Sequence, residues 1–390
     1  MKRRVAITGI GMISALGLTL AENWAAMIAG RSGIGPVGAR AIAEVRGFDA
    51  TKYFDRVQLN LFSRFTQFGV VSAREAISDA GAELPDNAAV VTGSSVAGQI
   101  PIEQLCADTH AGRRIHPLTV ARAMSNAVVS AITIEFRLRG PAYTVTSACA
   151  SAAMAIGQAF RMVRAGDAEL AICGGSEAPI AEAHLRAWDA LSAMAPDTCR
   201  PFSRDRRGMV IGEGAAILVL EPLDRAKARG AKIHAELAGY GSSSDADHVM
   251  RPSGDGAVRA MRAALNDAEL RAEEIGYINA HGTGTVLNDS VESAAIREVF
   301  GVHAGRLAVS STKSMHGHTL GAAGALEAVA TVLALRDGVL PPTANFLGFD
   351  PECDLDVVPN EARRSSAGAA LSNSFAFGGL NAVLALRAST

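Results

Sequence analysis

Thr146-Ser147-Ala148-Cys149-Ala150-Ser151 follows a short apolar strand and opens an apolar helix over 152–164, which Ala165-Gly166-Asp167 ends. Ala153, Ile156, Phe160 and Val163 recur at helical spacing, so one face of that helix is buried. The order returns later in the chain. Ser310-Ser311-Thr312-Lys313 precedes an apolar helix over 321–335, which Arg336-Asp337-Gly338 ends. A second echo pairs Gly212-Glu213-Gly214 and the strand 216–220 with Gly378-Gly379 and the strand 382–386. Two matches in one order indicate an internal duplication. Its seam falls near 230–235, dividing the chain into halves 1–234 and 235–390. A duplicated unit of this kind stays one body with its active site between the halves.

Ten short strands are expected: 5–8, 88–92, 143–146, 170–173, 216–220, 235–237, 275–279, 308–310, 369–372 and 382–386. Continuous apolar strands alternating with helices predict an α/β fold whose sheets are covered on both faces. With 49% hydrophobic and 19% charged residues, the 390-residue chain has a large core and is neither disordered nor a coat for nucleic acid. A net charge of −2 supplies no global field to recruit a polyanion. Met1-Lys2-Arg3-Arg4 and the apolar residues after it imitate a secretory signal. Thr8, Gly9, Gly11, Ser14 and Gly17 interrupt that run, so a first strand and a glycine turn fit better. No apolar run has transmembrane length. The five cysteines form neither a disulfide framework nor a metal pattern, which points to reduced thiols and the cytoplasm.

Cys149 stands at a predicted helix N-terminus, where free amides and the positive dipole end favour a thiolate and a developing oxyanion. Its small neighbours Ala148, Ala150 and Ser151 leave room for substrate. Taken alone, Cys149 reads equally well as an inert buried thiol. Two of the nine histidines keep unusual company. His281 opens His281-Gly282-Thr283-Gly284-Thr285 after a strand, and His318 closes Lys313-Ser314-Met315-His316-Gly317-His318. A cysteine with two histidines suits thioester chemistry, in which the thiolate attacks and imidazoles donate hydrogen bonds or move protons. Other readings stand beside this one. His316 and His318 together are a possible metal pair without a third ligand, His281 a core histidine, Gly282-x-Gly284 a dinucleotide loop of wrong spacing, and Lys313 a solvated lysine. Glu327, on the helix after Lys313, is a candidate partner for it.

Together these segments resemble the β-ketoacyl-acyl carrier protein synthases, condensing enzymes of the thiolase-like fold group. The resemblance spans the chain, and the ordered set of Cys149, His281-Gly282-Thr283, Lys313-Ser314-x-x-Gly317-His318 and Phe375-x-Phe377-Gly378-Gly379 is specific. It implies a duplicated α-β-α-β-α layered fold and a decarboxylative condensation of acyl and malonyl thioesters. In that scheme Cys149 accepts the acyl chain. His281 and His318 bind the malonyl thioester carbonyl, and Lys313 with Glu327 organises the site. Amides of Cys149 and Phe377 form the oxyanion hole, and Phe377 gates access. Thr283 and Thr285 hold the phosphopantetheine arm, Val96 lines the acyl pocket, and Phe375 and Glu327 belong to the substrate-binding set. No resident cofactor or metal is implied, since phosphopantetheine arrives on the carrier protein. The implied partners are an acidic acyl carrier protein, met by Arg204, Arg206 and Arg207 or by Arg113 and Arg114, and a second subunit, either a copy of the chain or a chain-length factor. Nucleic acid and membrane insertion are not implied. Val286, Ala376 and Leu380 depart from the common pattern, so fatty acid elongation and a specialised polyketide or polyene pathway both stay open. The alternatives are a non-elongating or priming subunit, which usually lacks the cysteine, and a thiolase, which relies on a second cysteine.

Overall fold

A computed structural model describes residues 3–389; Met1 and Lys2 of the signal-like start lie outside the described residues. All ten expected strands are present. The first five are β1 (Val5–Ser14), β2 (Ala89–Gly93), β3 (Ala142–Val145), β4 (Ala171–Glu177) and β5 (Gly214–Pro222). The second five are β6 (Ala235–Ser244), β7 (Tyr277–Asn279), β8 (Ala308–Ser310), β9 (Ala369–Ala376) and β10 (Leu380–Ala388). They form one sheet in the order β8-β7-β9-β10-β6-β1-β5-β4-β2-β3. Within each set of five the spatial order is therefore third, second, fourth, fifth, first. The third, second and fourth strands pair in parallel, and the fourth, fifth and first antiparallel, in both sets. The sets meet where β1 and β6 pair through Val5–Leu237, Ala6–Glu236 and Ile7–Ala235.

Apart from the exposed edge strand β3, the strands are largely buried on both faces, as continuous apolar runs require. On β5, Ala216, Leu218 and Leu220 join the central core, while Ala215, Ile217 and Val219 join the core under the outer helix α1 (Arg64–Ala80). The central core holds α2 (Ser151–Ala165) and α5 (Ala323–Asp337), which lie between the two halves of the sheet. The outer face of the second half is covered by α3 (Gly254–Ala268) and α4 (Val286–Phe300). The layers thus run α-β-α-β-α. Residues 323–335 of α5 are buried all round, so this helix has apolar partners on every side and no solvent face.

Four strands, β1, β4, β6 and β9, run at least four residues past their expected ends, and in the two longest extensions, β1 and β6, glycine is the reason. Gly9 and Gly11 look like turn residues, yet β1 continues to Ser14. A Cβ at Gly11 would sit 2.0 Å from the Ser72 carbonyl oxygen, and one at Gly9 2.1 Å from that of Ala76. The missing side chains let α1 lie against the strand. Gly239 and Gly241 do the same on β6, where a Cβ at Gly241 would meet the Ala260 oxygen of α3 at 2.2 Å. No helix among the described residues is long and apolar enough to cross a membrane.

Candidate active site

The sharp turn between β3 and α2 carries Cys149. Ala148 takes a positive φ of 45°, a conformation that costs a non-glycine residue energy and persists only when its surroundings impose it. Ser151 imposes it. Its hydroxyl accepts a hydrogen bond from the Ser147 amide at 2.8 Å and donates to the Ala148 carbonyl at 2.6 Å. Ser151 is thus a stitch across the turn, beyond the small neighbour expected from the sequence. The Cys149 side chain is buried, and the backbone amides of Phe377 and of Cys149 itself lie close enough to its sulfur to favour the thiolate. Burial pushes the thiol up to about 11, and the Lys313 charge and those amides recover only part of the shift. Burial thus opposes the thiolate that the helix N-terminus, the Lys313 charge and the nearby amides favour.

His281 follows β7, and Lys313 and His318 follow β8. The imidazoles of His281 and His318 face each other edge to face with centroids 5.5 Å apart. Both are buried, and burial with the nearby Lys313 charge holds both well below the ordinary histidine range. They are neutral at physiological pH. Nδ1 of His318 accepts the Leu320 amide at 3.2 Å, so its proton sits on Nε2. Nδ1 of His281 lies 3.4 Å from Lys313 Nζ, a donor, which places the second proton on Nε2 as well. The pair therefore presents two neutral N–H donors.

Lys313 is fully buried, donates to the His281 carbonyl at 2.7 Å and pairs with Glu327. Burial pushes Glu327 up to about 7 against the pull of Lys313. Neither residue is on the cavity wall, so Glu327 stands behind Lys313 and is not a substrate contact. Replacing Lys313 with methionine orphans the carboxylate, at an expected cost of about 3–5 kcal/mol while Glu327 is ionised. The folded-state value lies above the unfolded 4.5, so the folded form binds the extra proton and stability falls as pH rises through that window. Removing the cation widens the window upward. Urea midpoints of K313M should therefore fall further below the parent protein at pH 8 than at pH 6. An equal deficit at both would sink the assignment.

Cys149, His281, His318, Thr283, Thr285, Phe375 and Phe377 line one cavity of about 430 Å³. The Thr283 and Thr285 hydroxyls are 2.9 Å apart, Phe375 packs beside His281, and Phe377 is partly exposed at the rim. Val96 is not on this wall. It sits in the neighbouring apolar cluster with Ile42, Leu185 and Met209. His316 turns away, with its ring nitrogens on Gly317 O and Thr312 Oγ1, in the manner of a satisfied core histidine. Arg206 is also buried, ion-paired with Asp350 and Asp289, and is no part of a docking patch.

Three buried carboxylates hold these loops. Glu177 accepts from the Ser94 and Ser95 hydroxyls and the amides of Ser95, Ala97 and Gly321. Ser94 in turn accepts Thr146, so one carboxylate links the cysteine turn to the His318 loop. Glu292 accepts the His281 and Gly282 amides and Asn373. Asp289 accepts the amides of Gly284 and Phe202.

The family description "Beta-ketoacyl synthase, N-terminal domain" matches residues 2–226, and "Beta-ketoacyl synthase, C-terminal domain" matches 234–347. The chain belongs to the β-ketoacyl synthase family. Nodulation protein E of Rhizobium sp. (strain N33) is 46% identical to the synthase, over 99% of this chain and 100% of that one. The 3-oxoacyl-[acyl-carrier-protein] synthase 2 of Synechocystis sp. (strain ATCC 27184 / PCC 6803 / Kazusa) is 42% identical over 99% and 98%. Among solved structures, the ishigamide ketosynthase/chain length factor superposes with a TM-score of 0.94 at 40% identity, covering both chains fully. The synthase is thus an acyltransferase of the condensing type with the thiolase-like layered fold.

Proposed function

We propose that the synthase joins an acyl chain held on Cys149 to a malonyl unit carried by acyl carrier protein, with loss of carbon dioxide. The observation that carries this reading is the shared cavity, in which one thiol faces two neutral N–H donors. In the first step the Cys149 sulfur attacks the acyl thioester carbonyl. The amides of Cys149 and Phe377 receive the oxyanion, and the carrier thiol leaves with the proton that Cys149 gives up. In the second, the malonyl thioester oxygen accepts from Nε2–H of His281 and His318. Carbon dioxide departs, the enolate carbon attacks the acyl carbonyl, and the Cys149 sulfur leaves and is reprotonated. Donors aimed at the oxygen that becomes negative are what this decarboxylation needs, so no strong base is required. Lys313 and Glu327 are positioning residues. They keep the imidazoles neutral and correctly tautomeric.

The phosphopantetheine arm that delivers both substrates arrives on the carrier, with Thr283 and Thr285 along its path, and the chemistry needs no resident cofactor. Arg207 and Arg251, both exposed at the cavity mouth, replace Arg206 in meeting an acidic carrier. Reversing both charges should raise KM for carrier-borne substrates about tenfold and flatten its salt dependence, because rim charges act mainly on encounter. Acylation by a small acyl thioester without a carrier should be unchanged, and an equal loss with both substrates would refute the docking role. The exposed edge strand β3, with Tyr143 at its centre, offers unpaired backbone for a second subunit. Five cysteines without a disulfide support a cytoplasmic setting for the reaction. Intact-mass analysis tests the whole reading. An acyl adduct on Cys149 must form from an acyl carrier and vanish as malonyl carrier yields a β-keto product.

A further inference from the structure

Trp188 lies on the short helix Glu182–Ala190, outside every motif that marked the site. Its indole lines the cavity that holds Cys149 and stacks on the Phe377 ring, with centroids 5.9 Å apart and planes 25° from parallel. The indole is itself fixed. Its Nε1 donates to His184 Nε2 at 2.9 Å, one helical turn back, so the imidazole is a neutral acceptor at that nitrogen. Two glycines follow Phe377, Gly378 and Gly379, with φ of 83° and 69°, a conformation open to glycine without strain. Phe377 shares the cavity wall with Cys149, and its amide lies near enough to the sulfur to favour the thiolate. Ring and amide belong to one residue, so whatever seats the ring also sets the amide.

We propose that Trp188 is the seat of Phe377, a positioning residue whose stacked indole holds the Phe377 amide against Cys149 and keeps the ring over the cavity entrance. This rests on the condensing role proposed above for Cys149. An offset aromatic pair biases a two-state loop by about two- to tenfold. When an acyl chain enters, the ring must leave the indole, so Trp188 reports the movement.

The chain has only two tryptophans, Trp24 and Trp188. Trp24 is buried elsewhere against Asp337, so a W24F protein emits from Trp188 alone. In that protein, loading Cys149 from an acyl thioester should change the emission at the rate at which the acyl adduct grows by mass. Removing the seat should push two Cys149 reactions in opposite directions. W188A should be alkylated by iodoacetamide at Cys149 about two- to tenfold faster, because the entrance is less often covered. Its acylation by a thioester should be slower by a similar factor, because the oxyanion amide is less often in place. Alkylation of the exposed Cys106, followed in the same peptide maps, should not change, and W188F should restore both Cys149 rates. A misfolded variant would not separate the two rates in this way. Adduct formation without an emission change, or two Cys149 rates that move together or not at all, would overturn the seat. If no thioester ever loads the parent protein, the condensing reading fails instead, and the alkylation rates still decide the role of Trp188.

Discussion

Replacing Cys149 with alanine should leave a folded protein that forms no acyl adduct and makes no β-keto product. The expected loss in condensation is about four orders of magnitude or more, since a covalent route has no substitute once its nucleophile is gone. Cys149 is the cysteine on the cavity wall; Cys173, Cys199 and Cys353 are buried outside it, and burial raises the thiol of each. The Ala148 turn should survive, because Ser151 holds it through backbone groups that the substitution leaves in place. The two histidine donors also remain. C149A should therefore still release carbon dioxide from malonyl carrier and accumulate acetyl carrier, measured by mass. Persistent β-keto product from C149A would place the nucleophile elsewhere.

His281→Ala and His318→Ala should produce the opposite split. Each removes one donor from the oxygen that becomes negative, at an expected cost of about 10²–10³ in decarboxylation. The double variant should be little worse than the poorer single one, because the two donors act as a unit. Acylation of Cys149 uses the amides of Cys149 and Phe377, so its rate should stay within a few-fold. The pH dependence is a second check. Burial and the Lys313 charge hold both imidazoles well below the ordinary histidine range, so neither gains a proton as pH falls from 8 to 6. Decarboxylation by the parent protein should be flat across that interval. A fall with a midpoint near 6.5 would show that the histidines are not held neutral.

Nine of the ten strands were legible because each is an apolar run largely buried on both faces, a pattern with few competing readings; the exposed edge strand β3 was legible from its place before the cysteine turn. Their ends were less so. Gly9, Gly11, Gly239 and Gly241 carry the same letter as a turn glycine, and only the helix pressed against the strand tells close approach from a bend. In the site, Cys149, His281, Lys313 and His318 were visible through the small residues around them. Glu292 and Asp289 were not, because a lone acidic residue reads as a surface charge until the amides that converge on it are seen. Arg206 misled in the same way: three nearby arginines read as a patch, although the middle one points inward to Asp350. The depth at which Cys149 is buried also lay beyond the sequence, because the helix terminus is apparent from the motif and the burial that opposes a thiolate is not. Trp188 gave no signal, since a tryptophan on a short helix is most simply a packing residue.

Helix α5 is enclosed on every side, and with α2 it fills the space between the two halves of the sheet. A molecule packed in this way has no hinge. Its halves cannot part and close around a substrate without exposing that central layer to water, a cost far larger than a binding event supplies. Admission, commitment and release must then be handled by a few residues at the rim. The expected motion is a local loop excursion on the microsecond-to-millisecond scale, and the turnover of a rigid catalytic frame is set by how often its small door opens.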